Sequence, residues 1–177
     1  AIIGIEDNHC RGICLELMIK RGGKGIVPIS ASARAPGGVY VDGGMLIDDL
    51  DNQQNTIMDL HTVPTLPGQH NWQNAAAAYA AARAADIAPE QIKAALKTFG
   101  GLAHRQEHIQ TIEGVAFVND SKATNTEAAG KALACYDNIH WILGGQFKEE
   151  NLGALEPMLE RVSHAYLIGE ASDQLSG

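Results

Sequence analysis

Cysteine is scarce in this chain: only Cys10, Cys14 and Cys135 occur among its 177 residues. Thiols that are few, odd in number and widely spaced cannot form the disulfide framework of a small secreted domain, and they favour a reducing cytoplasm. Cys10 and Cys14 are spaced for one helix face and lie beside His9, but this set lacks a fourth ligand. A tetrahedral metal site is therefore not predicted, and the alternative is that both cysteines belong to the core.

Basic residues are also few, and long apolar runs are missing. Lys and Arg number 13 against 21 Asp and Glu, a formal net charge of −8, so no nucleic-acid partner is expected. Residues 103–177 hold five basic and eleven acidic residues, so an anion site there requires a few cations to converge locally. The longest apolar-looking stretch, residues 75–88, is mostly alanine and contains two charged residues, which excludes a membrane span. The chain also opens without the pattern of a secretory signal.

Motifs of self-contained enzymes are missing as well. The chain has no G-x-x-x-x-G-K-[ST] phosphate loop. The nearest segment, Gly22-Gly23-Lys24-Gly25, lacks both the first glycine of that motif and the Ser or Thr that follows its lysine. It has neither a G-x-S-x-G nucleophile elbow nor an H-E-x-x-H metal motif. A complete ATP-using enzyme is therefore not expected within these 177 residues.

What the chain does contain is typical of a folded α/β protein, with 45% apolar and 19% charged residues. Residues 2–5, 9–21 and 26–29 predict a strand, a helix and a strand, which form a βαβ unit. Between residues 30 and 60, short apolar runs separated by glycine pairs predict antiparallel hairpins and hence a mixed sheet. An alanine-rich helix over 71–85 and a second helix opening at Pro89 follow, ended by a glycine pair.

This glycine pair, Gly100-Gly101, predicts a domain boundary near residue 102, which gives domains 1–102 and 103–177. The sequence of the second domain predicts a hairpin followed by helices that alternate with strands. This pattern favours an open, largely parallel sheet. Its predicted elements are strands at 109–112 and 115–118, a helix over 124–134, a strand at 139–143, a helix over 152–162 and a strand at 165–168.

Two asparagines open the alanine-rich helix. Asn71 and Asn74 are three residues apart, so both amides can point the same way. A helix N-terminus attracts phosphate or nucleotide oxygens, and an amide that both donates and accepts suits a purine edge. The alternative is that Asn71 caps the helix and Asn74 bonds to the nearby backbone.

Four further residues stand at the predicted boundary or after strands. The planar guanidinium of Arg105 could bind a phosphate; the alternative is that it only pairs with Glu107. Asp120, Lys122 and Thr124 follow the strand that ends at residue 118, where open α/β sheets bind ligands. An ordinary turn capped by Ser121 or Thr124 is the alternative there, but a lysine near a helix start is unexpected in a cap and favours function. A fifth residue, Lys148, follows the glycine pair that ends the next strand, and its clustering with Arg105 and Lys122 in an acidic segment favours one anion site. The other two basic residues after 102, Lys131 and Arg161, fall in predicted helices and are expected to be solvated.

Four segments taken in order, L-P-G-Q-H-N-x-x-N-A, G-L-A-H-R-Q-E, N-D-S-K-A-T-N and G-G-x-x-K, closely resemble the Mur ligase family. The D-S-K-A-T-N text resembles the branch that adds D-glutamate. The resemblance implies an α/β fold made of part of a central mixed-sheet ATPase domain (1–102) followed by the first part of a Rossmann-like C-terminal domain (103–177). In the family's G-G-x-x-K loop an acidic residue often precedes the lysine, where this chain has Gln146 and Phe147.

The resemblance also implies an activity, which is the ATP-dependent joining of D-glutamate to UDP-N-acetylmuramoyl-L-alanine through an acyl phosphate, in peptidoglycan biosynthesis. It implies a monomer in the bacterial cytoplasm with no membrane partner, and Mg²⁺ held by ligands upstream of this chain. Asn71 and Asn74 would contact the nucleotide near its base, Arg105 and Asp120 the ribose and phosphate, and Lys122 the phosphates and the acyl-phosphate region. The carboxylates of D-glutamate would be bound by Thr124 and Lys148.

Two alternatives remain open from the sequence. The family member could use another amino-acid acceptor, or the chain could be a stand-alone nucleotide-binding module without catalysis, because the phosphate loop is absent. Whether the ligase adds D-glutamate or another amino acid, the 177-residue chain alone is expected to be inactive.

Overall fold

A computed structural model describes residues 1–145 and 153–175. The chain divides into two compact units, Ala1–Gly100 and Gly101–Gly177. The α/β class predicted from the sequence is confirmed, since helices alternate with both parallel and antiparallel strands. No helix in the described ranges is long and apolar enough to cross a membrane.

The N-terminal unit is built on a five-stranded sheet in the order β1-β2-β3-β4-β5. Strands β1, β2 and β3 are parallel, and β4 runs antiparallel to both of its neighbours, so the sheet is mixed as predicted. The strands are β1 (Ile2–Gly4), β2 (Val27–Ser30), β3 (Val39–Asp42), β4 (Met45–Asp48) and β5 (Asn55–Asp59).

Three helices complete this unit: α1 (Asn8–Arg21), α2 (Gln69–Ala84) and α3 (Pro89–Lys97). Asp7 caps α1, accepting a hydrogen bond from the Cys10 backbone N–H (2.8 Å), and the helix ends at Gly22 in the left-handed conformation. The alanines of α2 let it pack close to the sheet. The core between them consists of buried apolar residues, namely Ile29, Ala31, Val39, Val41, Leu46, Met58, Leu60, Val63, Leu66, Ala75, Ala76, Tyr79, Ala80 and Ile92.

A buried polar network ties the middle of α2 to the end of β4. The Tyr79 hydroxyl donates to Asp48 Oδ2 (2.8 Å), and Arg83 Nε donates to the same oxygen (3.2 Å). Burial, and then the bond to the carboxylate, raise the pKa of Tyr79 far above its ordinary value. The phenol therefore stays protonated and acts as a permanent donor to Asp48.

The described part of the C-terminal unit, residues 101–145 and 153–175, contains two small sheets. Strands β6 (Glu107–Ile112) and β7 (Val115–Asn119) form an antiparallel hairpin, and its two turn residues Glu113 and Gly114 both have positive φ, as a tight hairpin turn requires. Strands β8 (Ile139–Gly144) and β9 (Val162–Ile168) are parallel. The helices are α4 (Thr126–Leu133), α5 (Glu156–Leu159) and α6 (Ser172–Leu175).

Two local predictions in this unit were wrong. The cap of α4 is Asn125, whose Oδ1 accepts from the Ala128 backbone N–H (2.8 Å), and not Ser121 or Thr124. Arg161 lies in a turn before β9 and not on a helix, because α5 is only four residues long and follows a 3-10 turn at Gly153–Leu155.

The carboxyl ends of β8 and β9 are joined through their backbones. The Gly145 N–H donates to the Ile168 carbonyl (3.0 Å), and the Ala171 N–H donates to the Gly145 carbonyl (3.0 Å). A Cβ added at Gly144 would lie 1.8 Å from the carbonyl oxygen of Ile168, so only glycine allows this approach.

Candidate functional site

The N-terminal unit gathers polar groups at one edge of its sheet. Strand β5 runs antiparallel to β4, so it is parallel to β1, β2 and β3, and the four strands end at the same edge. Glu6 and Ala31 follow the ends of β1 and β2, and Asp59 ends β5. This is the edge at which open α/β sheets bind ligands.

Helix α2 begins at this edge. The Gln73 side-chain amide donates to Glu6 Oε2, and Glu6 Oε1 accepts from the Ala31 backbone N–H (2.6 Å). The first turn of α2 therefore lies beside the ends of β1 and β2. A helix N-terminus at the carboxyl edge of parallel strands presents free N–H groups and partial positive charge to an anion.

Both predicted asparagines lie at this end of α2. Asn71 is not the cap, because the helix begins after Gly68; its Nδ2 instead donates to the Pro67 carbonyl (2.8 Å). Asn74 is exposed and its side chain makes no hydrogen bond within the described residues, so the predicted bond from its amide to the nearby backbone is not observed. Its amide keeps its full capacity to donate to and accept from a ligand.

In the C-terminal unit the structure brings two of the sequence segments together. The backbone N–H of Gln106 donates to Asp120 Oδ1 (3.1 Å), and the backbone N–H of Lys122 donates to the His104 carbonyl (3.1 Å). These bonds close the open end of the β6–β7 hairpin, where Glu107 pairs with Asn119. Segment 104–106, which contains Arg105, therefore lies against segment 120–122.

The cations of this unit separate into two kinds. Arg105 and Lys122 are exposed, and their side chains make no ion pair or hydrogen bond within the described ranges. In contrast, Lys131 pairs with Glu127 at 2.7 Å and Arg161 with Asp137 at 2.7 Å. The pairing of Arg105 with Glu107 is not observed, since the Glu107 carboxylate accepts from the His104 backbone N–H (2.8 Å) instead.

The backbone around Arg105 is strained on both sides. His104 has φ 63° and Gln106 has φ 46°, the left-handed region that residues with a Cβ rarely adopt. Strain of this kind costs of order 1–3 kcal/mol per residue and persists where surrounding contacts hold it, often at ligand sites. Sequence patterns contain no signal for it, because neither residue is a glycine.

The positions of the remaining predicted site residues say less about a binding role. Thr124 is exposed, and its backbone N–H donates to the Lys122 carbonyl (3.0 Å), so it belongs to the same turn. Burial raises the pKa of the Tyr136 phenol most, the Cys135 thiol raises it further, and Asp120 adds the smallest contribution. Lys148 lies outside the described residues.

One group of residues at the carboxyl edge was missed from the sequence. Asp59 Oδ1 accepts from the His61 backbone N–H (2.9 Å) and from its Nδ1 (2.8 Å), and the His61 ring meets the Trp72 ring at a centroid distance of 4.9 Å. These bonds, the backbone one first, lower the pKa of the Asp59 carboxyl. Asp-x-His is too short and too common a pattern to have predicted the pair.

No cluster of three or more metal-ligating side chains is found in residues 1–145 and 153–175. The carboxylates that stand near the site are each used internally. Glu6 bonds to Gln73 and Ala31, and Asp120 to Gln106.

Curated proteins that are similar in sequence to this chain have the same name. The chain is 50% identical over 173 residues to the "UDP-N-acetylmuramoylalanine--D-glutamate ligase" of Paramagnetospirillum magneticum, which covers 98% of this chain and 36% of the relative. It is 46% identical over 172 residues to the ligase of the same name from Rhodospirillum rubrum, covering 97% of this chain and 36% of that one. The chain thus spans little more than a third of the length of these curated relatives. No protein-family model matches it.

Two solved structures from Acinetobacter baumannii have the same fold. One is the UDP-N-acetylmuramoylalanyl-D-glutamyl-2,6-diaminopimelate--D-alanyl-D-alanyl ligase, with a TM-score of 0.62 and 23% identity over all of this chain and 40% of the ligase. The other, a crystal structure of MurF, has a TM-score of 0.58 and 21% identity over 96% of this chain and 38% of that one. Across nearly its whole length the chain is therefore similar in sequence to D-glutamate-adding Mur ligases, and its fold is similar to that of the two solved ligases.

Proposed function

We propose that this chain is the part of an ATP-dependent acid–amino-acid ligase that joins D-glutamate to UDP-N-acetylmuramoyl-L-alanine in peptidoglycan biosynthesis. Residues 1–102 would belong to the central ATP-binding domain, and residues 103–177 would begin the Rossmann-like C-terminal domain. The names of the relatives support this assignment. The observation that carries it is the pair of spare cations, Arg105 and Lys122, on two segments bonded to each other beside Asp120.

The proposed reaction calls for positively charged side chains near the transferred phosphate. An oxygen of the muramoyl-alanine carboxylate attacks the γ-phosphorus of ATP, so an acyl phosphate forms and ADP leaves. The amine of D-glutamate then attacks the acyl carbon, which forms the amide, expels phosphate and releases the ammonium proton. Negative charge accumulates on the transferred phosphoryl group, so fixed cations and correct positioning supply most of the catalysis.

Each proposed role matches the chemistry of its side chain. The planar guanidinium of Arg105 binds phosphate oxygens in pairs, and Asp120, already fixed by the Gln106 N–H, accepts from ribose hydroxyls. Lys122 is the catalytic residue, a point charge toward the phosphates and the acyl phosphate. Asn71 and Asn74 contact the nucleotide near its base, and Thr124, with Lys148, binds the carboxylates of D-glutamate.

Mg²⁺ would neutralise phosphate charge in the complete ligase. Following the resemblance to the family, we assign its ligands to the part of the longer protein upstream of this chain. The 177-residue chain also contains no phosphate loop. We therefore expect it to show no turnover by itself.

The decisive measurement is ADP release by the longer protein that contains this chain. With UDP-N-acetylmuramoyl-L-alanine and ATP, ADP should appear only when D-glutamate is added, and L-glutamate, D-alanine or a diamino acid should not replace it. ADP release without D-glutamate, or no ADP release at all, would refute the assignment. Turnover with another amino acid would mean a family member with a different acceptor.

A matched pair of lysine variants tests the site itself. Lys122→Ala should lower kcat/KM by about 10- to 150-fold, because a hydrogen bond to a charged group is worth ~1.5–3 kcal/mol. Lys131→Ala should change it less than about twofold, because Lys131 only pairs with Glu127 on an exposed helix face. Equal losses in the two variants would contradict the role given to Lys122.

A further inference from the structure

The first turn of α2 is held in place from two sides. On one side Gln73 bonds to Glu6, which follows β1. On the other side the Trp72 indole meets the His61 imidazole nearly edge-to-face, with the ring planes 79° apart and the centroids 4.9 Å apart. The two contacts reach neighbouring residues of one helical turn, so together they fix both its position and its rotation.

The imidazole of His61 is itself held on three sides. Asp59 Oδ1 lies 2.8 Å from Nδ1, and because an ionised carboxylate only accepts, Nδ1 carries the proton. Gly44, in the β3–β4 turn, lies against the ring: a Cβ there would stand 2.0 Å from Cε1 and 2.3 Å from Nδ1. The Gly44 carbonyl also accepts from the Leu60 N–H (2.8 Å), which brings this turn against the short 3-10 helix Leu60–Thr62 that contains His61.

This arrangement is more specific than packing alone requires. The His61 side chain remains 59% exposed, so it adds little to the apolar core. Its contacts nevertheless fix one orientation of the ring, the orientation that touches Trp72. A carboxylate that orients an imidazole in this way is the usual means of fixing its tautomer and direction.

We propose that His61, oriented by Asp59, is a positioning residue for the nucleotide. It fixes Trp72 and thereby the first two turns of α2, which carry Asn71 and Asn74. The proposal rests on the proposed function, since it takes these asparagines as nucleotide contacts. Preorganised contacts raise affinity by lowering the cost of ordering the site on binding.

The kinetic test uses the longer protein that contains this chain. His61→Ala should raise the KM for ATP about 2- to 12-fold, the range expected for loss of one aromatic pair, with kcat changed less than about twofold. His61→Gln, which keeps a planar donor toward Asp59, should recover part of the loss. His108→Ala is the matched control: it removes an exposed imidazole bonded to Thr111 in the C-terminal unit and should change neither constant.

A spectroscopic test separates positioning from general destabilisation. The 177-residue chain has two tryptophans, so in a Trp141→Phe background the near-UV circular dichroism of indole comes from Trp72 alone. His61→Ala should reduce this band, and His61→Gln should preserve more of it. Ile92→Val, a buried change on α3, lowers stability but should leave the band intact.

The possible outcomes are distinct. A reduced Trp72 band with a raised KM for ATP supports the proposal. An unchanged band, or an unchanged KM despite a reduced band, overturns it while the proposed function stands. If the wild-type longer protein binds ATP without ligase activity, the dissociation constant of ATP replaces KM in the same comparison. If the longer protein does not bind ATP, the proposed function is refuted, and the positioning role of His61, which rests on that function, is refuted with it.

Discussion

Replacing Asp48 should weaken the N-terminal unit more than any exposed charge change. Its side chain is only 8% exposed, and Oδ2 accepts from Tyr79 (2.8 Å) and Arg83 (3.2 Å). Its other oxygen accepts from the Leu50 backbone N–H (3.0 Å). Asp48→Asn has almost the same shape, so it isolates the loss of the negative charge and of one acceptor.

The magnitude follows from these bonds. Each hydrogen bond to a charged group contributes about 1.5–3 kcal/mol, but Arg83 is a quarter exposed, so water replaces part of its share. We expect Asp48→Asn to lower the free energy of unfolding by about 2–4 kcal/mol, at or below the 3–5 kcal/mol of a fully buried pair. Tyr79→Phe removes one donor and leaves the carboxylate paired, so about 1–2 kcal/mol is expected. The double variant should cost less than the sum, since both changes break the same bond.

The assay is urea unfolding followed by tryptophan fluorescence. Trp72 lies in the N-terminal unit and Trp141 in the C-terminal unit, so a Trp141→Phe background reports on the N-terminal unit alone. Glu90→Gln is the control, because it breaks an exposed 3.7 Å pair with Lys93 that is worth well under about 1 kcal/mol. If Asp48→Asn and Glu90→Gln unfold at the same urea concentration, the buried network does not stabilise this unit and the reasoning is wrong.

Three further outcomes are expected. The carboxyl pKa of Asp59 lies below its ordinary 3.8, so the stability that its ionised form adds to the fold is complete above pH 3.8 and is lost as the pH falls through the lowered value. His61→Ala should raise this pKa part of the way back toward 3.8, measured by carboxyl ¹³C NMR. An unchanged pKa would mean that the His61 backbone N–H alone lowers it. Burial raises the pKa of the Cys135 thiol, so iodoacetamide at pH 7 should alkylate it more slowly than in the urea-unfolded chain; equal rates would contradict its burial. Asn125→Ala should cost about 0.5–2 kcal/mol in the fluorescence transition of the C-terminal unit, and Thr124→Ala much less.

The sequence predicted the elements of the fold well because most of them depend on local patterns. The apolar runs and glycine pairs of residues 30–60 indicated the hairpins, and the mixed sheet follows from the turns they require. Caps were harder to predict. Ser121, Thr124 and Asn125 are all good caps by type, and which one is used depends on where segment 120–122 is held by His104 and Gln106, a contact distant in sequence.

The candidate site was only partly predictable for a related reason. Arg105 and Lys122 were identified by their charge in an acidic segment, and the structure leaves both exposed and unpaired in its described part. The contribution of His61 depends on three partners separated in sequence, namely Gly44, Asp59 and Trp72. Hydrophobic periodicity and short motifs carry no information on such contacts, because the sheet brings them together only after folding.

The joined ends of β8 and β9 have a consequence for how this protein varies over evolution. Backbone groups alone bond Gly145 to Ile168 and Ala171, and glycine at position 144 is what the close approach requires. The exposed side chain of Ile168 takes no part in these bonds, so it can vary without breaking them, whereas Gly144 is not free to change.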